Sequence, residues 1–205
     1  DGWILRDSTL SPSTCAALSN TGVGLRAVGA TLNLVKGTLN NNTLGGLRLT
    51  NTTGQLSSNS ITGNGQFGVT LDPSTPALSA ALLVDGNTIQ SNSGYGLRFQ
   101  FSSPPDLGVN RISANGNLGM MATGATVPGA FTLPKQTGDT NLDIFTSSVR
   151  IEDNGVFQID PGVTLRFAPH TGFVIGGGQS QGTLFALGEP LAPIVMTALN
   201  GVSGG

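Results

Sequence analysis

Charge is what this chain has least of. Asp, Glu, Lys and Arg make up 10% of its 205 residues, and eleven acidic groups against nine basic ones leave a net charge of -2. There is no basic stripe for a phosphate backbone, which argues against nucleic acid as a partner. Cysteine is almost absent: Cys15 stands alone, which excludes an internal disulfide and a multi-cysteine metal site and leaves it as a small, partly buried side chain. No apolar run approaches the roughly 20 residues that span a bilayer, so no membrane span is expected. No signal-peptide pattern opens the sequence, and any export signal is expected outside it.

Glycine, asparagine, serine and threonine fill the space that charge leaves. The 31 glycines accompany a hydrophobic share of 38%, enough for a core. Disordered chains combine low hydrophobicity with high net charge, and long helices draw on Ala, Glu, Lys and Leu. Short strands joined by Gly and Asn turns fit this composition best.

A repeat organises them. Asn20, Asn42, Asn64, Asn92 and Asn115 are each followed four residues later by glycine, namely Gly24, Gly46, Gly68, Gly96 and Gly119, at spacings of 22, 22, 28 and 23. An apolar residue stands three places before each asparagine: Ala17, Leu39, Ile61, Ile89 and Ile112. Another follows each glycine (Leu25, Leu47, Val69, Leu97, Met120), and a third lies two residues further on (Ala27, Leu49, Leu71, Phe99, Ala122). A fixed period of this length signals a solenoid. Alternate strand residues face opposite sides, so columns two apart point inward and stack from coil to coil at about 4.8 Å. The asparagines are expected to form a structural ladder at a turn, hydrogen-bonding up the stack, with the glycines supplying a backbone angle that other residues resist.

The expected fold is therefore all-β: a right-handed parallel β-helix, a single-stranded solenoid with coils of about 22 residues, running through residues 1–205 as one segment. Asp72-Pro73-Ser74-Thr75-Pro76 is read as a loop pushed out of one coil, and 123–148 as an irregular loop or arm insertion, either a large loop or a coil with a protruding arm. The last third carries short apolar runs punctuated by Gly and Pro: Phe157 to Phe167, Gly182 to Gly188 and Pro193 to Ala198. With the Asn/Gly coils, these runs resemble the right-handed parallel β-helix repeats, pectate-lyase-like solenoids, of bacterial extracellular and surface proteins. In those repeats a "pGv.l.F", a "GtL.AlG" and a "PIvfT" segment succeed one another. The resemblance implies a scaffold, not a chemistry, since such solenoids serve enzymes and adhesins alike.

A polysaccharide-cleaving β-helix needs paired acid and base groups. No Asp or Glu falls in the repeat columns of the five regular coils. Glu152, Asp153 and Asp160 lie near one another in sequence and could hold a cation, but they read as solvated turn residues. His170, the only histidine, sits in a turn-like Ala-Pro-His-Thr-Gly context. The clustered Asp, Gly-His-Gly and Arg-Ile-Lys of the polygalacturonase-like pattern are missing. No catalytic residue, metal site or cofactor is expected, and the chain is read as not an enzyme.

Two outward features remain. Arg26, Arg48 and Arg98 share one column, with Thr70 between the last two, and like charges on adjacent coils could be relieved by an acidic polysaccharide or a neighbouring subunit. On another strand Thr38, Ser60 and Thr88 alternate with Asn40, Thr62, Gln90 and Ser113, an ordinary solvent-exposed strand face. The function expected is an extracellular structural or adhesive module of a fibre, sheath or surface protein. The alternative is a fragment of a polysaccharide-active or carbohydrate-binding β-helix. End-to-end self-association is also expected: Asp1-Gly2-Trp3 opens in mid-coil, and Gly201-Val202-Ser203-Gly204-Gly205 reads as the other half of such a junction.

Overall fold

A computed structural model of the chain describes residues 1–72, 82–124, 126–127, 129–139, 141–145, 148–177 and 180–199. Residues 73–76 of the expected loop and the 201–205 half of the expected junction lie outside them.

The described residues form a right-handed parallel β-solenoid without helix, at about 23 residues per turn. Its spine is a nine-stranded sheet, called here the long sheet. It is built from Trp3–Arg6, Val23–Val28, Gly45–Thr50, Phe67–Leu71, Leu97–Gln100, Met120–Thr123, Asn141–Ile144, Thr164–Phe167 and Val195–Ala198. All its pairings are parallel. A five-stranded sheet, the second, takes strands such as Thr31–Val35 and Thr53–Ser57, and a six-stranded third sheet takes Thr38–Asn40, Ser60–Thr62 and Thr88–Gln90. Each regular coil passes through long, second and third sheet in turn.

Along the regular coils alternation buries one side of each strand. Leu25, Leu47, Val69, Leu97 and Met120 stack in register inside the long sheet, and Leu39, Ile61, Ile89 and Ile112 do so inside the third. Toward the C-terminus the core turns from aliphatic to aromatic. Phe131 stacks on Phe157 at 5.4 Å between ring centroids, and Phe157 meets Phe101 and Phe173 edge-on, each at 5.8 Å.

The asparagines form a ladder of buried amides. The side-chain oxygen of Asn64 accepts from both the backbone N–H and the side-chain amide of Asn42, and the Asn64 amide donates to Asn92 Oδ1 at 2.8 Å and to the Leu39 carbonyl at 2.9 Å. Both lone pairs and both N–H donors of this buried group are thus satisfied. The ladder ends at Asn115. Ile112 faces Gly138 while Met120 faces Leu142, so the turn of the following coil is four residues shorter than the eight that separate Ile112 from Met120.

Two readings of the sequence need correction. Gly24, Gly46, Gly68 and Gly96 have no left-handed backbone; of that column only Gly119 does, with φ 81°. The column is glycine for close approach. A Cβ at Gly24 would come within 2.7 Å of the Asn42 side-chain nitrogen and 2.8 Å of the Gly46 carbonyl oxygen. The left-handed residue is instead the one before each asparagine: Ser19, Asn41, Gly63, Ser91 and Ala114, with φ between 52° and 66°. The stretch 123–148, expected as an irregular loop or arm, carries strands Ala130–Leu133, Thr137–Gly138 and Asn141–Ile144, the last in the long sheet between Met120–Thr123 and Thr164–Phe167. Of the two forms expected, the strands give the coil rather than the loop, with one turn four residues shorter, and the missing Asn/Gly turn hid its regularity.

Candidate functional site

The outward side of the long sheet gathers charge. Backbone register aligns Ile4, Arg26, Arg48, Thr70, Arg98, Met121, Asp143, Arg166 and Thr197 in one column. The expected arginine column therefore exists, with Arg26 and Arg48 on adjacent strands.

Their repulsion is met from within the chain. Arg26 Nε lies 2.9 Å from Asp1 Oδ2, and Asp1 Oδ1 also accepts the Val23 N–H. Arg48 Nε lies 3.0 Å from Asp72 Oδ2, and Arg98 Nη1 is 3.8 Å from the other oxygen of that carboxylate. Sequence reasoning missed both partners because Asp1 and Asp72 sit at offsets outside the repeat columns. Arg98 differs from its neighbours: its guanidinium lies 5.6 Å from the centroid of the Phe67 ring, and its buried Nε has no hydrogen-bond partner among the described residues. Phe67 in turn stacks on Tyr95 at 6.3 Å. Val23, Leu44, Phe67, Thr70 and the three arginines border a groove of about 120 Å³.

Further along the column lies a network the sequence did not reveal. Asp143 is 1% exposed and accepts Arg166 Nε at 2.5 Å, Arg166 Nη2 at 2.8 Å and the Tyr95 hydroxyl at 2.6 Å. Burial, then the hydrogen bond to Asp143 and its negative charge, push the Tyr95 phenol well above its ordinary range. Asp143 is occupied on both oxygens and shielded from solvent, which suits a clamp between coils better than an acid or base for a ligand.

A second amide ladder also escaped the sequence reading. Asn59 donates to Asn87 Oδ1, Asn87 to Asn110 Oδ1, and Asn110 to Gln136 Oε1, between the second and third sheets. Its signal was present: Asn59, Asn87 and Asn110 each stand five residues before a first-ladder asparagine. In the two preceding coils that position is Gly37 and Cys15, which broke the pattern. Burial raises the Cys15 thiol pKa.

The remaining candidates do not converge. Glu152 pairs with Arg150 at 3.6 Å, Asp153 accepts from Ser180, and His170 occupies an exposed turn with φ 61°. Among the described residues no three His, Cys, Asp or Glu side chains group as a metal site, and no helix is long and apolar enough to cross a membrane. The Thr38, Ser60, Thr88 row does lie in register on the third sheet.

A model of the right-handed beta helix region matches residues 21–184. The chain belongs to the right-handed β-helix family. The match spans both asparagine ladders apart from the first rung, Asn20, and takes in Arg26, Arg48, Arg98 and Arg166. Neither a curated protein nor a solved structure matches this β-helix at a significant level.

Proposed function

We propose that this β-helix is a non-catalytic structural and adhesive module of an extracellular fibre, sheath or surface protein, presenting the outward side of the long sheet to its target. One observation carries the reading: two buried amide ladders brace a continuous parallel sheet whose outward side collects Arg26, Arg48, Arg98, Asp143 and Arg166 in a single column. A frame whose buried ladder amides are hydrogen-bonded resists deformation, and a charged column held on it is a fixed contact surface. The carboxylates that meet that column, Asp1, Asp72 and Asp143, are bound to its arginines, which supports contact over catalysis. Low charge and abundant Gly, Asn, Ser and Thr support the extracellular placement.

End-to-end stacking on further solenoid copies belongs to the same proposal. Strands Trp3–Arg6 and Val195–Ala198 each pair on one side only among the described residues. A parallel sheet that stacks coil on coil in one register can continue onto a further copy.

The test pairs retention with product analysis. Purified protein is expected to be retained on an immobilised polysaccharide while releasing neither reducing ends nor unsaturated products from a soluble panel. Product release that disappears with Glu152→Gln or Asp160→Asn would sink the module reading. Sedimentation that stays monomeric at every concentration would sink the end-to-end part.

A further inference from the structure

We propose that Asn154 and Gly155 form a self-modification site, at which the turn Glu152–Gly155 converts in water to aspartate and isoaspartate with loss of ammonia, while the same dipeptide in the asparagine ladder stays intact. The site needs no partner but water and stands apart from the adhesive reading.

An asparagine followed by glycine is open to attack by its own backbone, because glycine has no Cβ to hinder the approach and turns freely in φ and ψ. The chain holds that pair at Asn64, Asn115, Asn154 and Asn200, the last outside the described residues. In the ladder the amide is locked. Asn64 is 0% and Asn115 6% exposed; the Asn64 amide donates to Asn92 Oδ1 and the Leu39 carbonyl, and the Asn115 amide donates to the Ile89 carbonyl at 3.1 Å. Asn154 is exposed, and its side chain has no hydrogen-bond partner among the described residues. The backbone differs in the same sense. The Gly65 and Gly116 N–H groups donate to the Asn42 and Asn92 carbonyls of the preceding coil, at 2.8 and 2.7 Å, so freeing either nitrogen means parting two coils. The Gly155 N–H donates to Glu152, three residues back in its own turn, at 2.8 Å. That bond opens by movement of the turn alone.

The turn is also strained. Asp153 and Asn154, with φ 55° and 63°, are the one place among the described residues where two consecutive residues other than glycine are left-handed. Nor can the fold discard the glycine, since a Cβ at Gly155 would fall 2.7 Å from the Val127 carbonyl oxygen. In the reaction Gly155 N loses its proton and bonds to Asn154 Cγ, closing a succinimide ring, and the Cγ–Nδ2 bond breaks to release ammonia. Water then opens the ring. Cleavage of the new N–Cγ bond leaves aspartate; cleavage at the main-chain carbonyl leaves isoaspartate, whose backbone runs through Cβ. Amide and water become acid and ammonia, with no change of oxidation state. The longer backbone relieves the left-handed strain. It also moves the Asn154 N–H, which donates to the Gln181 carbonyl at 2.8 Å, and sets a new carboxylate beside Glu152 and Asp153. Little slack exists there, because a Cβ at Gly182 would collide with the Ile151 carbonyl oxygen. Isoaspartate therefore loosens the pairing of Gly155–Ile159 with Gly182–Ala186.

Peptide mapping by mass spectrometry, on the whole folded chain aged in heavy-oxygen water, tests the site. The Asn154 peptide is expected to take up labelled oxygen and to appear as aspartate and isoaspartate, faster in mild alkali than in mild acid because the glycine nitrogen must lose a proton. Conversion at Asn64 and Asn115 should be slower by on the order of tenfold or more, since each requires the stack to open. In urea the three sites should convert at similar rates. Asn154→Gly, which suits a left-handed backbone, should abolish uptake at that turn in a chain that still melts cooperatively. The isoaspartate fraction, separated by ion exchange, should melt below its parent. Equal rates at the three sites in the folded chain, or an Asn154 as protected as the ladder asparagines, overturns the site. A rate order that urea leaves unchanged would trace the difference to neighbouring sequence and overturn it too. Isoaspartate protein that melts with its parent overturns the loosening of the stack.

Discussion

Asn42 donates twice to the side-chain oxygen of Asn64, from its backbone N–H and from its side-chain amide, each at 3.0 Å. The same double contact joins Asn64 to Asn92 and Asn92 to Asn115. A polar group at this depth is costly unless every donor and acceptor is met, and the ladder meets them with its own neighbours.

Removing one rung should therefore cost more than one hydrogen bond. Asn64→Leu strips acceptors from the Asn42 backbone and side chain and donors from Asn92 Oδ1 and the Leu39 carbonyl. A loss of about 1 to 3 kcal/mol is expected, since buried groups left unsatisfied bear the full desolvation penalty. Urea denaturation measures it, and an unchanged midpoint would show that the rung is not structural.

The columns were legible in the sequence because a strand repeats its facing every two residues and a coil every 22 or so, so that Leu47 and Ile61 announce their orientation by position alone. Turns were legible only where they kept their length. The four-residue shortening after Gly138 erased the Asn/Gly signature, which is why 123–148 looked irregular. The partners of the arginine column were hidden for a related reason: Asp1 and Asp72 reach Arg26 and Arg48 from outside the repeat, and Tyr95 reaches Asp143 across 48 residues.

The glycine column can be tested by adding one methyl group. A Cβ at Gly46 would fall 2.5 Å from Ile61 Cγ2 and 2.6 Å from the Gly68 carbonyl oxygen, whereas at Gly172 it would meet nothing within 4 Å. Neither residue has a left-handed φ. Gly46→Ala is expected to destabilise by about 1 to 3 kcal/mol through overpacking, and Gly172→Ala to be neutral or slightly stabilising. If Gly46→Ala matches Gly172→Ala in a melt, close approach is not what selects glycine there.

Ala114 offers the opposite experiment. It adopts φ 52° just before Asn115, a conformation that a Cβ resists. Ala114→Gly should raise stability by about 0.5 to 1 kcal/mol, because relief of strain exceeds the extra freedom of the unfolded chain. A lower denaturation midpoint in this variant would contradict that balance.

The Tyr95 phenol provides a test by pH. The fold holds it in its protonated form, because the ring is buried and its hydroxyl donates to a buried, charged Asp143. Its folded pKa thus exceeds the unfolded value of about 10, so below pH 10 both states keep the proton and the stabilisation is fully present. Above that, the unfolded chain sheds a proton the fold retains, and stability falls as pH rises. Tyr95 is the only tyrosine, so tyrosinate absorbance reports this group alone. The folded protein should show no tyrosinate near pH 10, with ionisation appearing only well above it or on unfolding. Tyr95→Phe should be about 1 to 3 kcal/mol less stable at neutral pH, since Asp143 loses a donor, and should decline less steeply in alkali. Ionisation of the folded protein with a midpoint near 10 would mean that the hydroxyl is free in solution, and the clamp between Tyr95, Asp143 and Arg166 would have to be abandoned.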